Sequence, residues 1–163
     1  ILSEDSILAH FGLTDYHLTS FNFDKLPYRS IFLASDASWL HLADSYFYTI
    51  WHINNLRERL ISLSRHFDIF RCSIGDIDES FDFMYLSQGE IIRDYNYVDP
   101  TIWGKGGILS DSGNPFAIEQ RAFTCSDLRV RVLTIAEGLG IDIDYSSKNI
   151  LTYCPPAPSK HKF

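Results

Sequence analysis

No run of apolar residues in this 163-residue chain approaches the ~20 that a membrane-spanning helix needs, so no transmembrane segment is expected. Cysteine is scarce and poorly spaced. Cys72, Cys125 and Cys154 are odd in number, far apart and without a C-x-x-C pair, which leaves a disulfide framework and a cysteine zinc site unsupported. They are read as reduced, buried thiols. Positive charge is also short: 14 Lys and Arg stand against 21 Asp and Glu, a formal charge of −7. Phosphate backbones and anionic lipid surfaces repel such a chain, so neither nucleic acid nor a membrane surface is an expected partner. The opening "ILSEDSILAHFGL" has no initiator Met, no basic n-region and no long apolar core, so it does not read as a signal peptide, and the cytoplasm is the expected compartment.

Motifs of high specificity are missing as well. The six histidines form no H-x-H and no H-E-x-x-H, which leaves hydrolytic zinc without a template. "WGKGG", Trp103 to Gly107, lacks the spacing of a phosphate loop, and there is no G-x-S-x-G elbow. No cofactor or metal is therefore expected, and an enzyme is disfavoured.

What is present is a foldable composition. Hydrophobic residues make up 45% and aromatics 15%, which suits a globular domain able to bury a core without staples. One domain is expected over residues 1–154, followed by an extended, proline-rich and basic tail over 155–163. Asp5 to Phe11 reads as a short helix with cap residues before it and Gly12 after it. "HLTSFNF" and "YRSIFLAS" read as strands, and "SWLHLADSYFYTIWHI" as a hairpin turning at Ala43-Asp44-Ser45. Ile53, Leu56, Leu60, Leu63 and Phe67 recur at helical spacing.

A three-stranded meander is expected next: Asp68 to Ile74, Ser80 to Leu86 and Ile91 to Val98, with Gly89 placed for a tight turn. Alternation puts Cys72 with Phe70 and Ile74 on the core face, and separates Phe81, Phe83 and Tyr85 from Asp82, Met84 and Leu86. Asp99 to Ala117 has no period and reads as a long loop. Asp127 is expected to cap a helix with Leu128, Val132, Ile135, Ala136 and Leu139 on one face and Gly140 at its end. "IDIDYSSKNILTY" offers one or two short strands. The resulting class is α+β: an antiparallel sheet of about five to seven strands with two main amphipathic helices packed on it.

The acidic run Asp76, Asp78, Glu79 and Asp82 is the most distinctive local feature. "DIDES" copies only the first positions of a calcium loop before running into a strand. Four acids on an exposed turn all stay ionised, which does not suit a general acid and base pair. A negative patch for a basic protein remains, and so does a merely solvated turn. Tyr46, Tyr48 and Trp103 are the aromatic residues placed with the acids as candidate contacts, because Tyr and Trp are favoured at interface hot spots.

The order of "WLHLADSYFYTIW", a helix ending in "LSRHFDIF", "CSIGDIDESFDFMYLSQGEIIRDY" and a late "IAEGLGID" resembles that of small bacterial proteins, among them immunity proteins encoded beside secreted or contact-delivered toxins. The likeness, one of element order and texture, runs from Ile31 to Tyr97 with an echo near Ile135 to Ile143, and no family residue is carried over. It implies a non-catalytic inhibitor that binds one cognate toxin. Two alternatives stay open: a structural or adaptor domain of a larger assembly, and a small ligand-binding domain or enzyme with its site in the 99–117 loop. Oligomeric state is left open.

Overall fold

The computed structural model describes residues 3–20, 29–44, 49–75 and 77–156, apart from the side chain of Trp103. The class is α+β, as expected. Its strands, eight among the described residues, divide over two antiparallel sheets of four instead of forming one larger sheet. The chain forms two compact units, residues 1–59 with 144–163 and residues 60–143.

In the first unit, helix α1 (Glu4–Phe11) starts where the Ser3 side chain accepts from the Ser6 N–H and stops at left-handed Gly12. The sheet order is β1 (His17–Thr19), β8 (Leu151–Cys154), β2 (Ile31–Ser35), β3 (Leu40–Asp44). The hairpin joins β2 to β3 and turns at Asp36; of the turn expected at Ala43-Asp44-Ser45, Ala43 and Asp44 end β3 and Ser45 lies outside the described residues. The physical reason is how the two aspartates are used. Asp36 Oδ1 accepts from the Ser38 and Trp39 N–H groups, both at 2.8 Å, which nucleates the turn. Asp44 Oδ2 instead takes the Thr49 and Ile50 N–H groups at the start of a 3-10 turn over Ile50–His52. Trp51 therefore sits in that turn and not in a strand. Of the strand expected over 17–23, His17 to Thr19 is strand, Ser20 is not, and 21–23 lie outside the described residues, as does most of the expected tail.

Helix α2 covers Leu56–Leu63, shorter than its apolar periodicity implies. Asn55 adopts φ +57, a left-handed conformation that cannot extend the helix backwards but that Asn tolerates. At the other end the Ser64 hydroxyl donates to the Ile61 carbonyl, and Phe67 lies beyond the helix and is exposed.

The second unit contains the expected meander almost residue for residue: β4 (Ile69–Ile74), β5 (Phe81–Ser87) and β6 (Glu90–Val98). Gln88 and Gly89 have φ +53 and +83, the left-handed pair that a two-residue hairpin matched to strand twist requires. The 99–117 stretch corrects the loop expectation. It holds a helical turn α3 (Pro100–Trp103) and a fourth strand β7 (Gly107–Ser112) paired with β6. Helices α4 (Ala117–Ala122) and α5 (Leu128–Gly138) follow, the second capped by Asp127 through the Arg129 N–H.

The core of this unit joins Phe81, Phe83 and Tyr95 on the sheet to Ala122 on α4 and Val132 and Ile135 on α5. Thus α4, not α2, packs with α5 in this cluster. At 1% exposure, Arg93 is the largest fully buried side chain among the described residues. Its Nε and Nη2 donate to the two Glu119 oxygens at 2.8 and 2.7 Å, and Nη1 donates to Asp111 at 2.6 Å and to the Ser112 carbonyl at 3.0 Å. Its carbon lies 5.7 and 5.6 Å from the Phe83 and Tyr95 ring centres. Glu119 is the anchor because Oε1 also accepts the Phe116 N–H and so caps α4.

The expectation of three buried thiols is corrected. Only Cys154 is buried, Cys125 is partly so, and Cys72 is exposed. Cys72 does share the face of Phe83, with which it is in register, but β4 is the edge of its sheet.

Candidate functional site

Antiparallel topology brings the acidic turn and the 99–106 connection to the same end of the second sheet, because both link strands across that end. Hydrogen bonds then tie them together. The Gly75 N–H donates to the Ser80 carbonyl at 2.8 Å, and Asp78 Oδ1 accepts the Ser80 N–H at 2.9 Å, closing the turn. The Glu79 N–H donates to Asp99 Oδ2 at 3.2 Å, and the Asp99 N–H donates to Ser80 Oγ at 2.9 Å. The other Asp99 oxygen accepts both the N–H and the hydroxyl of Thr101, at 2.8 and 2.7 Å, so one carboxylate caps α3 and holds the acidic turn. These bonds, those from Thr101 first, keep the Asp99 carboxyl below its ordinary value.

The same end exposes apolar side chains. Ile77 in the turn is 73% exposed, Ile102 in α3 is 50%, and Ile108 and Leu109 at the start of β7 are 59% and 63%. β7 is an edge strand whose register to β6 slips: Asn96 faces Ser110 and Tyr97 faces Ile108, so Leu109 is an extra residue. Such a bulge interrupts the in-and-out alternation, and Ile108 and Leu109 are both exposed beside it.

The residues expected at a binding surface divide. Asp78 and Glu79 lie at this sheet end, Asp78 half-buried and Glu79 exposed, and Trp103 ends the helical turn beside them. Asp76, Tyr46 and Tyr48 lie outside the described residues. Asp82 does not belong to the exposed patch: it is only 9% exposed, on the sheet face opposite Phe81. Its Oδ2 accepts from Ser73 Oγ at 2.6 Å and lies 3.4 Å from Arg71 Nη2, while Oδ1 has no partner among the described residues. Burial pushes its carboxyl above the ordinary value, against the pull of Arg71. The expectation that all four acids are exposed is corrected for this residue.

Sequence reading missed Ile77, Ile102, Ile108 and Leu109. The Asp99-Pro100-Thr101 step carried a usable signal, since a cap residue followed by Pro at the first helical position marks a helix start. "GILSDS" carried little, because a six-residue strand with a bulge shows no clean alternation.

A second polar cluster lies in the first unit. His41 Nε2 is 2.9 Å from Asp36 Oδ2, and its Nδ1 is 2.9 Å from Tyr145 Oη. The bond to His41, ahead of those from the Ser38 and Trp39 N–H groups, holds the Asp36 carboxyl down at about 2. In the neutral ring an Nε2 proton donates to Asp36 and Nδ1 accepts from the tyrosine, so the imidazole fastens the 144–148 segment to the β2–β3 hairpin.

Among the described residues no group of three or more His, Cys, Asp or Glu is arranged to hold a metal ion, and no helix is long and apolar enough to cross a membrane. No protein-family model, no curated protein and no solved structure matches this chain.

Proposed function

We propose that this chain is a non-catalytic inhibitor of the immunity type, which binds a basic protein toxin through the end of its second sheet and works in the cytoplasm. The observation that carries the reading is the pairing of exposed Ile77, Ile102, Ile108 and Leu109 with a turn that bears Asp78 and Glu79 and is anchored by Asp99. Exposed apolar residues gathered at one sheet end with acidic neighbours suit a protein partner. The acidic residues raise the rate of encounter with a basic surface, and the edge strand supplies apolar contact once the two have met.

The test is to identify the protein captured from the source organism and to express it with and without this chain. The reading expects a basic protein that is toxic alone and neutralised by co-expression. Ile108→Arg with Leu109→Arg should abolish neutralisation while leaving the thermal midpoint nearly unchanged. A tight partner without toxic activity would favour an adaptor role instead, and neutralisation that survives the double substitution would remove the sheet end from the interface. Association should also slow as salt rises, and Glu79→Gln should slow it at low salt.

A further inference from the structure

The first unit contains a cavity of about 280 Å³ with chemistry opposite to the chain's overall charge. Its described lining includes Arg29, Arg59 and His52 with the Tyr16 hydroxyl, over an apolar wall that includes Phe11 and Leu13, and no Asp or Glu. Arg59 is fixed by its own bonds: Nε donates to the Asn54 carbonyl at 3.0 Å, and Nη1 donates to the His10 carbonyl. His10 Nε2 in turn lies 2.8 Å from the Arg59 carbonyl, so backbone and side chain are held together. Nη2 remains at the wall, 3.7 Å from where a Cβ on Gly12 would stand.

Tyr16 is under-used in a similar way. Its Oη lies 3.4 Å from Thr49 Oγ1, long for a hydroxyl pair, and the Thr49 hydroxyl already donates to the Arg29 carbonyl at 2.9 Å. Arg59, with its guanidinium held in place, and Tyr16, with its weakly engaged phenol, line the same cavity as Phe11 and Leu13.

We propose that this cavity binds a small organic monoanion with an apolar body, its carboxylate held by Arg59 Nη2 and the Tyr16 hydroxyl. Anion recognition by arginine is strong where the guanidinium is held in place beforehand, as its two carbonyl bonds hold this one. The volume fits a compact ligand: at about 30 Å³ per water it equals roughly nine water molecules. An apolar body replaces water against Phe11 and Leu13, which a free inorganic anion cannot do. This site is separate from the sheet end proposed above, and either assignment can fail without the other.

The experiment is a titration of the full isotope-labelled chain, with benzoate in one arm and inorganic phosphate in the other, followed by amide chemical shifts. Benzoate should move the amides of Gly12, Leu13, His52 and Asn54 saturably. Tyr16→Phe should weaken its binding by about 2- to 10-fold, the worth of one neutral hydrogen bond. Arg59→Lys should weaken it by about 10- to 100-fold. Tyr16→Phe serves as the decisive variant if Arg59→Lys disturbs the fold, since among the described residues the Tyr16 hydroxyl bonds only to Thr49, at 3.4 Å. Unmoved cavity amides under both anions, equal affinity in Tyr16→Phe and the parent chain, or saturation by phosphate without benzoate would each overturn the proposal.

Discussion

Removing the Glu119 carboxylate should be among the most damaging single changes to the second unit. Glu119→Ala deletes two short bonds to an arginine that is 1% exposed and leaves its charge facing Asp111, whose side chain is 49% exposed. Breaking a buried ion pair from one side costs about 3–5 kcal/mol, because the remaining charge keeps its desolvation penalty. The Phe116 N–H loses its cap in the same step. A whole domain is stable by only about 5–15 kcal/mol, so the substitution removes a large share of its stability. Asp111→Asn, acting at the half-exposed end of the network, should cost about 1 kcal/mol or less. Arg93→Met with Glu119→Leu should recover much of the loss, since neither charge is then buried.

Urea unfolding followed by circular dichroism reads the difference: at a slope of roughly 2 kcal/mol per molar, Glu119→Ala should lower the midpoint by about 1.5–2.5 M. Native-state hydrogen exchange at β6 and α4 localises the effect to this unit. A Glu119→Ala shift no larger than that of Asp111→Asn would refute the reasoning, as would a double variant less stable than either single one.

Three further outcomes follow from particular contacts. Asp82 has a carboxyl raised by burial, so the folded state favours its protonated form and stability is lost as pH rises from about 4 through the raised value. Asp82→Asn should therefore gain more, in urea midpoint against the parent, at pH 7 than at pH 4, and the opposite order would contradict the assignment. Gly138→Ala should destabilise although Ala is the better helix former: the added methyl would sit 2.6 Å from Ile118 Cγ1, and overpacking of about 1–3 kcal/mol exceeds a propensity gain of about 0.5–1. Calorimetry should show a lower melting temperature, and a rise would mean that α4 shifts freely. Ile108→Arg with Leu109→Arg should move stability by no more than about 0.5 kcal/mol for each substitution, because both side chains are exposed; a large loss in thermal melting would place them in a core.

Where structure is set by near neighbours, the chain alone was sufficient. The Gln88-Gly89 turn, α1 with its Ser3 and Gly12 ends and α5 with its Asp127 cap depend on contacts a few residues apart, and the β4–β5–β6 meander on pairings between sequential strands no more than 17 residues apart. Alternation likewise separated Phe81 and Phe83 from Asp82 and Met84. The acidic turn was also visible as a local feature. Which of its acids stay on the surface was not, because the burial of Asp82 depends on what covers the far face of the sheet.

Other features are long-range, and single-sequence patterns do not encode them. The division of strands between two sheets pairs β8 with β1 and β2, more than a hundred residues away. The place of β7 and its register slip depend on β6, and the Arg93–Glu119 pair spans 26 residues. The anion cavity unites α1 with residues around position 55 through Arg59 and His10. Local propensity and periodicity determined which segments are helix or strand, because those terms act within a turn or a hairpin. Only the tertiary structure decided which edge is open, which charge is buried and which groups share a cavity, because burial and desolvation depend on residues the chain brings back from far away.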